Sequence, residues 1–177
     1  MSQTLSNPEP ITQTAFDAVI IGAGFAGLYM LYRMRALNLS ARVYEAGDGV
    51  GGTWYWNRYP GCRCDVESLE YSYQFSEELE QEWEWTERYA GQPEILAYLN
   101  HVADRFDLRK DILFNSRVTA ATFDEHRNRW IVEADEETVS AGFCIMATGC
   151  LSSTNTPDFK GIKSFKGETH HTGDWPH

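Results

Sequence analysis

Apolar positions follow two rhythms along this chain. Phe16-Asp17-Ala18-Val19-Ile20-Ile21 is a short run rich in β-branched side chains that stops at a glycine, the pattern of a buried parallel strand. Over residues 27–38 the apolar side chains Leu28, Leu31, Tyr32, Met34 and Leu37 recur at helical spacing, and Asn38 suits a helix stop. Arg42-Val43-Tyr44-Glu45 returns to a strand pattern, so residues 16–45 predict a β-α-β unit. Residues 46–64 form a long ordered loop, because a linker would not carry Trp54, Tyr55, Trp56 and Tyr59 together. Residues 76–88 are acidic and helix-prone, the mark of a solvated face, with Trp83 and Trp85 read as packing residues. Pro93 opens an amphipathic helix carrying Ile95, Leu96, Leu99, Val102 and Phe106. Ile112-Leu113-Phe114 is a strand, and residues 118–123 and 130–133 flank a polar turn as a hairpin. Thr138-Val139 and Phe143-Cys144-Ile145-Met146-Ala147 predict two further strands, the second of them buried. The fold class is α/β: a parallel sheet around the β-α-β unit, with a hairpin or meander added.

Composition narrows the function classes. The chain has 177 residues, enough for one domain with its own core. A net charge of -11 repels phosphate backbones and anionic lipid, so neither nucleic acid nor a membrane surface is expected as a partner. The uncharged apolar run over residues 18–32 is too short to span a bilayer and is interrupted by glycines. It lacks a basic leader, so no secretory signal is expected and the cytoplasm is the expected compartment. The first 14 residues read as a disordered lead-in. Cys62, Cys64, Cys144 and Cys150 show neither redox nor zinc spacing, which suits reduced thiols. His101 and His126 read as surface histidines, and no metal cluster is indicated.

The chemistry concentrates in Gly22-Ala23-Gly24-Phe25-Ala26-Gly27, a G-x-G-x-x-G that follows a strand and opens a helix. In that context Gly22 permits the turn, Gly24 lets the backbone approach a pyrophosphate, and Gly27 allows close packing of helix and strand. Ala23, Phe25 and Ala26 lie in the same turn, where helix N–H groups and partial positive charge face the phosphates. Glu45 ends the second strand, where a carboxylate can accept both hydroxyls of an adenosine ribose and would repel a 2′-phosphate. A dinucleotide is therefore expected, FAD or NAD rather than NADP.

Two further segments favour FAD. Gly51-Gly52-Thr53-Trp54 resembles the G-G-T segment of flavoproteins with two dinucleotide-binding domains, and Ala147-Thr148-Gly149 resembles the A-T-G turn that returns to the cofactor there. Beyond them, Phe165, Gly167, His171, Trp175 and Pro176 match F-x-G-x-x-x-H-x-x-x-W-P at every defined position. Residues 51–65, Gly-Gly-Thr-Trp-Tyr-Trp-Asn-Arg-Tyr-Pro-Gly-Cys-Arg-Cys-Asp, match G-G-x-W-Y-W-N-R-Y-P-G-x-x-x-D. In both respects the chain resembles the class B flavoprotein Baeyer–Villiger monooxygenases over residues 16–177.

That resemblance implies a Rossmann-like FAD-binding domain over residues 15–155, and a linker over 156–177 leading toward an NADP domain that this chain does not contain. The two-dinucleotide-domain fold would thus be incomplete. It implies that NADPH and O2 serve an FAD that converts ketones to esters or lactones. The chain alone is expected to be inactive. Among site residues it implies Gly52, Thr53, Trp54, Trp56, Tyr71, Thr148 and Gly149 as FAD contacts, and Val118 as a backbone contact to the adenine. Asp65 would orient an arginine that this chain lacks, and His171 would serve the conformation of the fingerprint segment. The alternatives are a flavin monooxygenase that oxidises nitrogen or sulfur, and a non-catalytic flavin-binding module. A disulfide reductase is disfavoured, since no C-x-x-x-x-C follows Gly52-Thr53.

Overall fold

Strand β1 (Ala15–Ile21) is buried on both faces: Val19 and Ile20, pointing to opposite sides, belong to separate apolar clusters and are both inaccessible to solvent. The computed structural model describes residues 14–135 and 137–176, so the lead-in expected over residues 1–14 lies, but for Thr14, outside the described residues. After β1 come α1 (Phe25–Ala36), β2 (Ala41–Tyr44), α2 (Thr53–Trp56), α3 (Glu77–Glu82) and α4 (Gln92–Arg105). Then follow β3 (Ile112–Leu113), β4 (Val118–Asp124), β5 (Arg129–Ala134) and β6 (Thr138–Met146). The six strands form one sheet in the order β3-β2-β1-β6-β5-β4. Pairs among β3, β2, β1 and β6 are parallel, whereas β6-β5-β4 is an antiparallel meander.

Helix α1 ends as its sequence suggests. Asn38 adopts the left-handed conformation (φ 56°), its N–H donates to the Arg35 carbonyl, and the Leu39 N–H donates to that of Met34. Arg35 then ties the helix end to the approach to β3. Its Nε donates to Asp111 Oδ2 (2.7 Å), and its Nη1 donates to the carbonyls of Phe106 and Asp107 (3.0 and 2.8 Å). Helix α4 buries Ile95, Tyr98, Leu99 and Val102 in the larger apolar cluster, which also holds Leu28 and Leu31 of α1.

Several expectations need correction. Helix α1 starts at Phe25, inside the glycine motif, and not at Gly27. The 46–64 loop contains the single turn α2. Of residues 76–88 only Glu77–Glu82 are helical, started by the Ser76 side chain, which accepts from the Leu79 N–H. The chain then straightens so that Trp83 and Trp85 can pack on Tyr98, at centroid distances of 5.3 and 5.0 Å. The two strands expected over residues 138–147 are one. Gly142 carries the ladder through, because a Cβ there would sit 3.1 Å from the Asp17 carbonyl oxygen. The end of β6 is only partly buried: Phe143 and Met146 are 64% and 66% exposed, whereas Cys144 and Ile145 pack against the two apolar clusters. His101 is half-buried, its ring 5.4 Å from that of Trp83, whereas His126 is exposed as expected.

Candidate functional site

Where β1 ends, the backbone is too crowded for side chains. Gly22 lies at φ 103°, and a Cβ on it would come within 2.6 Å of the Ala147 carbonyl oxygen. A Cβ on Gly27 would overlap the Gly22 carbonyl oxygen at 1.8 Å. Gly24 faces Gly52 across the turn, and its Cβ would stand 3.3 Å from the Gly52 Cα. Gly24 is also the N-cap of α1, and no side chain caps it and no acid occupies the first turn. The helix's first N–H groups therefore meet no side-chain acceptor and carry the partial positive charge that attracts an anion.

Glu45 holds the turn and the following loop together. Its carboxylate is buried, with Oε2 accepting from the Ala23 N–H (2.7 Å) and Oε1 from the Gly47 N–H (2.8 Å). The Gly51 N–H donates to the Ala23 carbonyl (3.0 Å), a second tie between loop and turn. On the other flank the Ser116 N–H donates to the Glu45 carbonyl and the Asn115 N–H to that of Gly47, each at 2.9 Å.

Between these segments lies a cleft of about 340 Å³. It brings together Gly22, Gly24, Glu45, Gly52, Thr53, Trp56, Val118, Thr148 and Gly149 of the residues singled out from sequence. Ala23, Phe25, Ala26 and Gly27 belong to the same turn but do not line the cleft. Trp54 and Tyr71 sit to one side of it: Trp54 Nε1 donates to the Tyr71 hydroxyl (3.2 Å), and Tyr71 meets Phe25 edge-on at 4.8 Å. Burial raises the Tyr71 phenol pKa, and the nearby Asp65 charge adds to the effect. Asp65 itself is exposed, makes no hydrogen bond with the described residues, and does not reach the cleft. His171 lies in a separate turn near the end of the chain, where its Nδ1 accepts from the Gly173 N–H (3.0 Å). Phe165 of the same segment is 64% exposed.

The cleft also has walls that no motif announced: Ile21, Tyr44, Ala46, Ser116, Arg117, Leu151, Ser152 and Ser153. Ser116 and Arg117 could have been found only as neighbours of Val118, and residues 151–153 only as the continuation of Ala147-Thr148-Gly149. All four cysteines are free, with Cys62 and Cys64 buried. Among the described residues no His, Cys, Asp and Glu cluster could hold a metal, and no helix is long and apolar enough to cross a membrane.

A family model described as pyridine nucleotide-disulphide oxidoreductase matches residues 19–177. The chain belongs to that family. Within it, the chain corresponds to the N-terminal region of the Baeyer–Villiger monooxygenases. It is 51% identical over 163 residues to the 2-oxo-Delta(3)-4,5,5-trimethylcyclopentenylacetyl-CoA monooxygenase of Pseudomonas putida, covering 92% of this chain and 30% of that protein. A solved structure of oxidized steroid monooxygenase bound to NADP superposes with a TM-score of 0.84 at 60% identity, covering 93% of this chain and 32% of that one. The OTEMO complex with FAD and NADP superposes with a TM-score of 0.84 at 50% identity, covering 93% and 31%. The chain thus spans about a third of the length of these relatives, and its fold is the Rossmann-like α/β domain of their structures.

Proposed function

We propose that this chain is the FAD-holding part of an NADPH- and O2-dependent Baeyer–Villiger monooxygenase that converts ketones to esters or lactones. One observation carries the reading: an uncapped helix N-terminus and a buried carboxylate, joined by hydrogen bonds, line one cleft. That pair suits the pyrophosphate and the ribose of one dinucleotide. The residues fit FAD. The first amides of α1, from Phe25 to Gly27, would take the pyrophosphate. Each Glu45 oxygen already accepts one backbone N–H and keeps a second lone pair for a ribose hydroxyl. The Val118 backbone would meet the adenine, while Gly52, Thr53, Trp56, Thr148 and Gly149 would border the flavin half. Trp54 and Tyr71 would support that border from behind.

When bound, FAD supplies the redox chemistry with NADPH and O2; the protein binds, orients and excludes water. Asp65 would orient an arginine contributed from outside this chain, and His171 would set the conformation of the fingerprint segment. We assign residues 15–155 to the FAD-binding domain and 156–177 to a linker toward an NADP domain. The acidic chain is proposed to work in the cytoplasm without nucleic acid or membrane as a partner.

The test is a graft. Substituted for the corresponding segment of the Pseudomonas putida monooxygenase, this chain should support NADPH-dependent oxygen uptake with that enzyme's 2-oxo substrate and yield a ring-expanded lactone. A graft that folds and binds FAD yet forms only an N-oxide or sulfoxide from suitable amines or sulfides would favour the alternative branch. A folded, FAD-loaded graft with no oxygen uptake would sink the monooxygenase reading.

A further inference from the structure

We infer that Arg117 stacks its guanidinium on the adenine of the bound dinucleotide and so makes the cleft select FAD over FMN; the inference rests on the FAD reading above. Among the side chains that line the cleft, Arg117 is the one cation, as Glu45 is the one carboxylate. Its backbone is fixed: the Arg117 N–H donates to Asp135 Oδ2 (2.9 Å), and the next residue, Val118, pairs with Ala134 in the sheet. The preceding residue, Ser116, is buried and bonded to the Glu45 carbonyl. A rigid segment thus presents an exposed arginine side chain whose guanidinium makes no hydrogen bond or ion pair with the described residues. Arg35 and Arg129, by contrast, find acceptors on Asp111 and on the Phe16 carbonyl.

The position decides what this cation meets. Phosphate charge belongs at the α1 N-terminus, which lies in the glycine turn. Residues 115–118 are tied to Glu45 and Gly47 and so flank the ribose side of the cleft. Beyond the ribose a dinucleotide offers a flat, uncharged purine. A guanidinium is planar and weakly hydrated, and it stacks on aromatic faces where an ammonium does not. A cation over an aromatic ring at a part-exposed site contributes enough for about a tenfold change in affinity.

The experiment uses the 177-residue chain and follows flavin fluorescence and ADP competition. Wild type should bind FAD more tightly than FMN. Arg117→Ala should weaken FAD by about tenfold and ADP by the same factor, leaving FMN and the melting temperature unchanged. Arg117→Lys should recover only part of the loss, because charge returns without the plane. Unchanged FAD affinity in Arg117→Ala, full recovery by lysine, or equal losses for FAD and FMN would overturn the inference while leaving the FAD reading intact. Wild type that fails to bind FAD would overturn both.

Discussion

The glycine turn at the head of α1 and the fingerprint segment near the chain's end are equally conspicuous in sequence but opposite in structure. In the turn, backbone atoms approach so closely that a single added methyl would strike a carbonyl oxygen at Gly22 or Gly27. Residues 151–170 are exposed almost throughout, and Phe165 packs its ring over its own Gly167, where a Cβ would stand 2.7 Å away. The first pattern encodes how this domain is built. The second contributes little to building it, and its meaning comes only from the proteins that share it. A motif can therefore identify a family without holding up the fold that carries it.

Substitutions sharpen the contrast. Gly27→Ala forces a methyl into the Gly22 carbonyl and should cost about 3 kcal/mol or more of unfolding free energy, read from urea denaturation. Glu45→Ala leaves the buried amides of Ala23 and Gly47 without acceptors, and should cost about 3 kcal/mol even with no cofactor present. If calorimetry instead found its stability unchanged and only FAD affinity lowered, the carboxylate would act on the ligand alone. Gly24→Ala needs Gly52 to yield only a few tenths of an ångström, so its stability cost should stay near 1 kcal/mol while FAD binding suffers more. Phe165→Ala should change stability by less than about 0.5 kcal/mol. A loss there as large as that of Gly27→Ala would erase the distinction between the two regions.

The smallest effect concerns the start of β1, where it meets the approach to β2. Asp17 Oδ2 accepts from the Ser40 N–H and hydroxyl at 2.7 and 2.6 Å, and these bonds hold its carboxyl below the usual value of 3.8. The folded pKa is depressed, so the stabilisation is present above the unfolded value and disappears as pH falls through the folded one. Asp17→Asn should accordingly be slightly less stable than wild type at pH 7, and the gap in parallel thermal melts should narrow as pH falls below the usual carboxylate value.

Much of the frame was legible because it is written in residue types. The strand run ending at Gly22, the helical spacing of Leu28 and Leu31, Asn38 at a left-handed stop, and the hairpin around residues 124–129 each rest on a local preference that the tertiary structure obeys. The opposite wall of the cleft was not legible, since Asn115 and Ser116 enter through backbone N–H groups that almost any residue possesses. Phe143 and Met146 misled because apolar composition states which side chains would gain from burial, not which are covered. The gap left between the two expected strands is bridged through Gly142, where an added Cβ would stand 3.1 Å from the Asp17 carbonyl oxygen. The position of Glu45 at the end of β2 suggested a ribose acceptor, whereas its hold on two backbone amides required the folded loop to be seen.

The most direct test of the account is titration of the 177-residue chain with FAD, followed by flavin fluorescence, with ADP as competitor and circular dichroism as the check on folding. The account predicts weak but saturable binding of one FAD per chain, displaced by ADP. A folded chain that shows no saturable FAD binding, or whose bound FAD resists ADP, would contradict it.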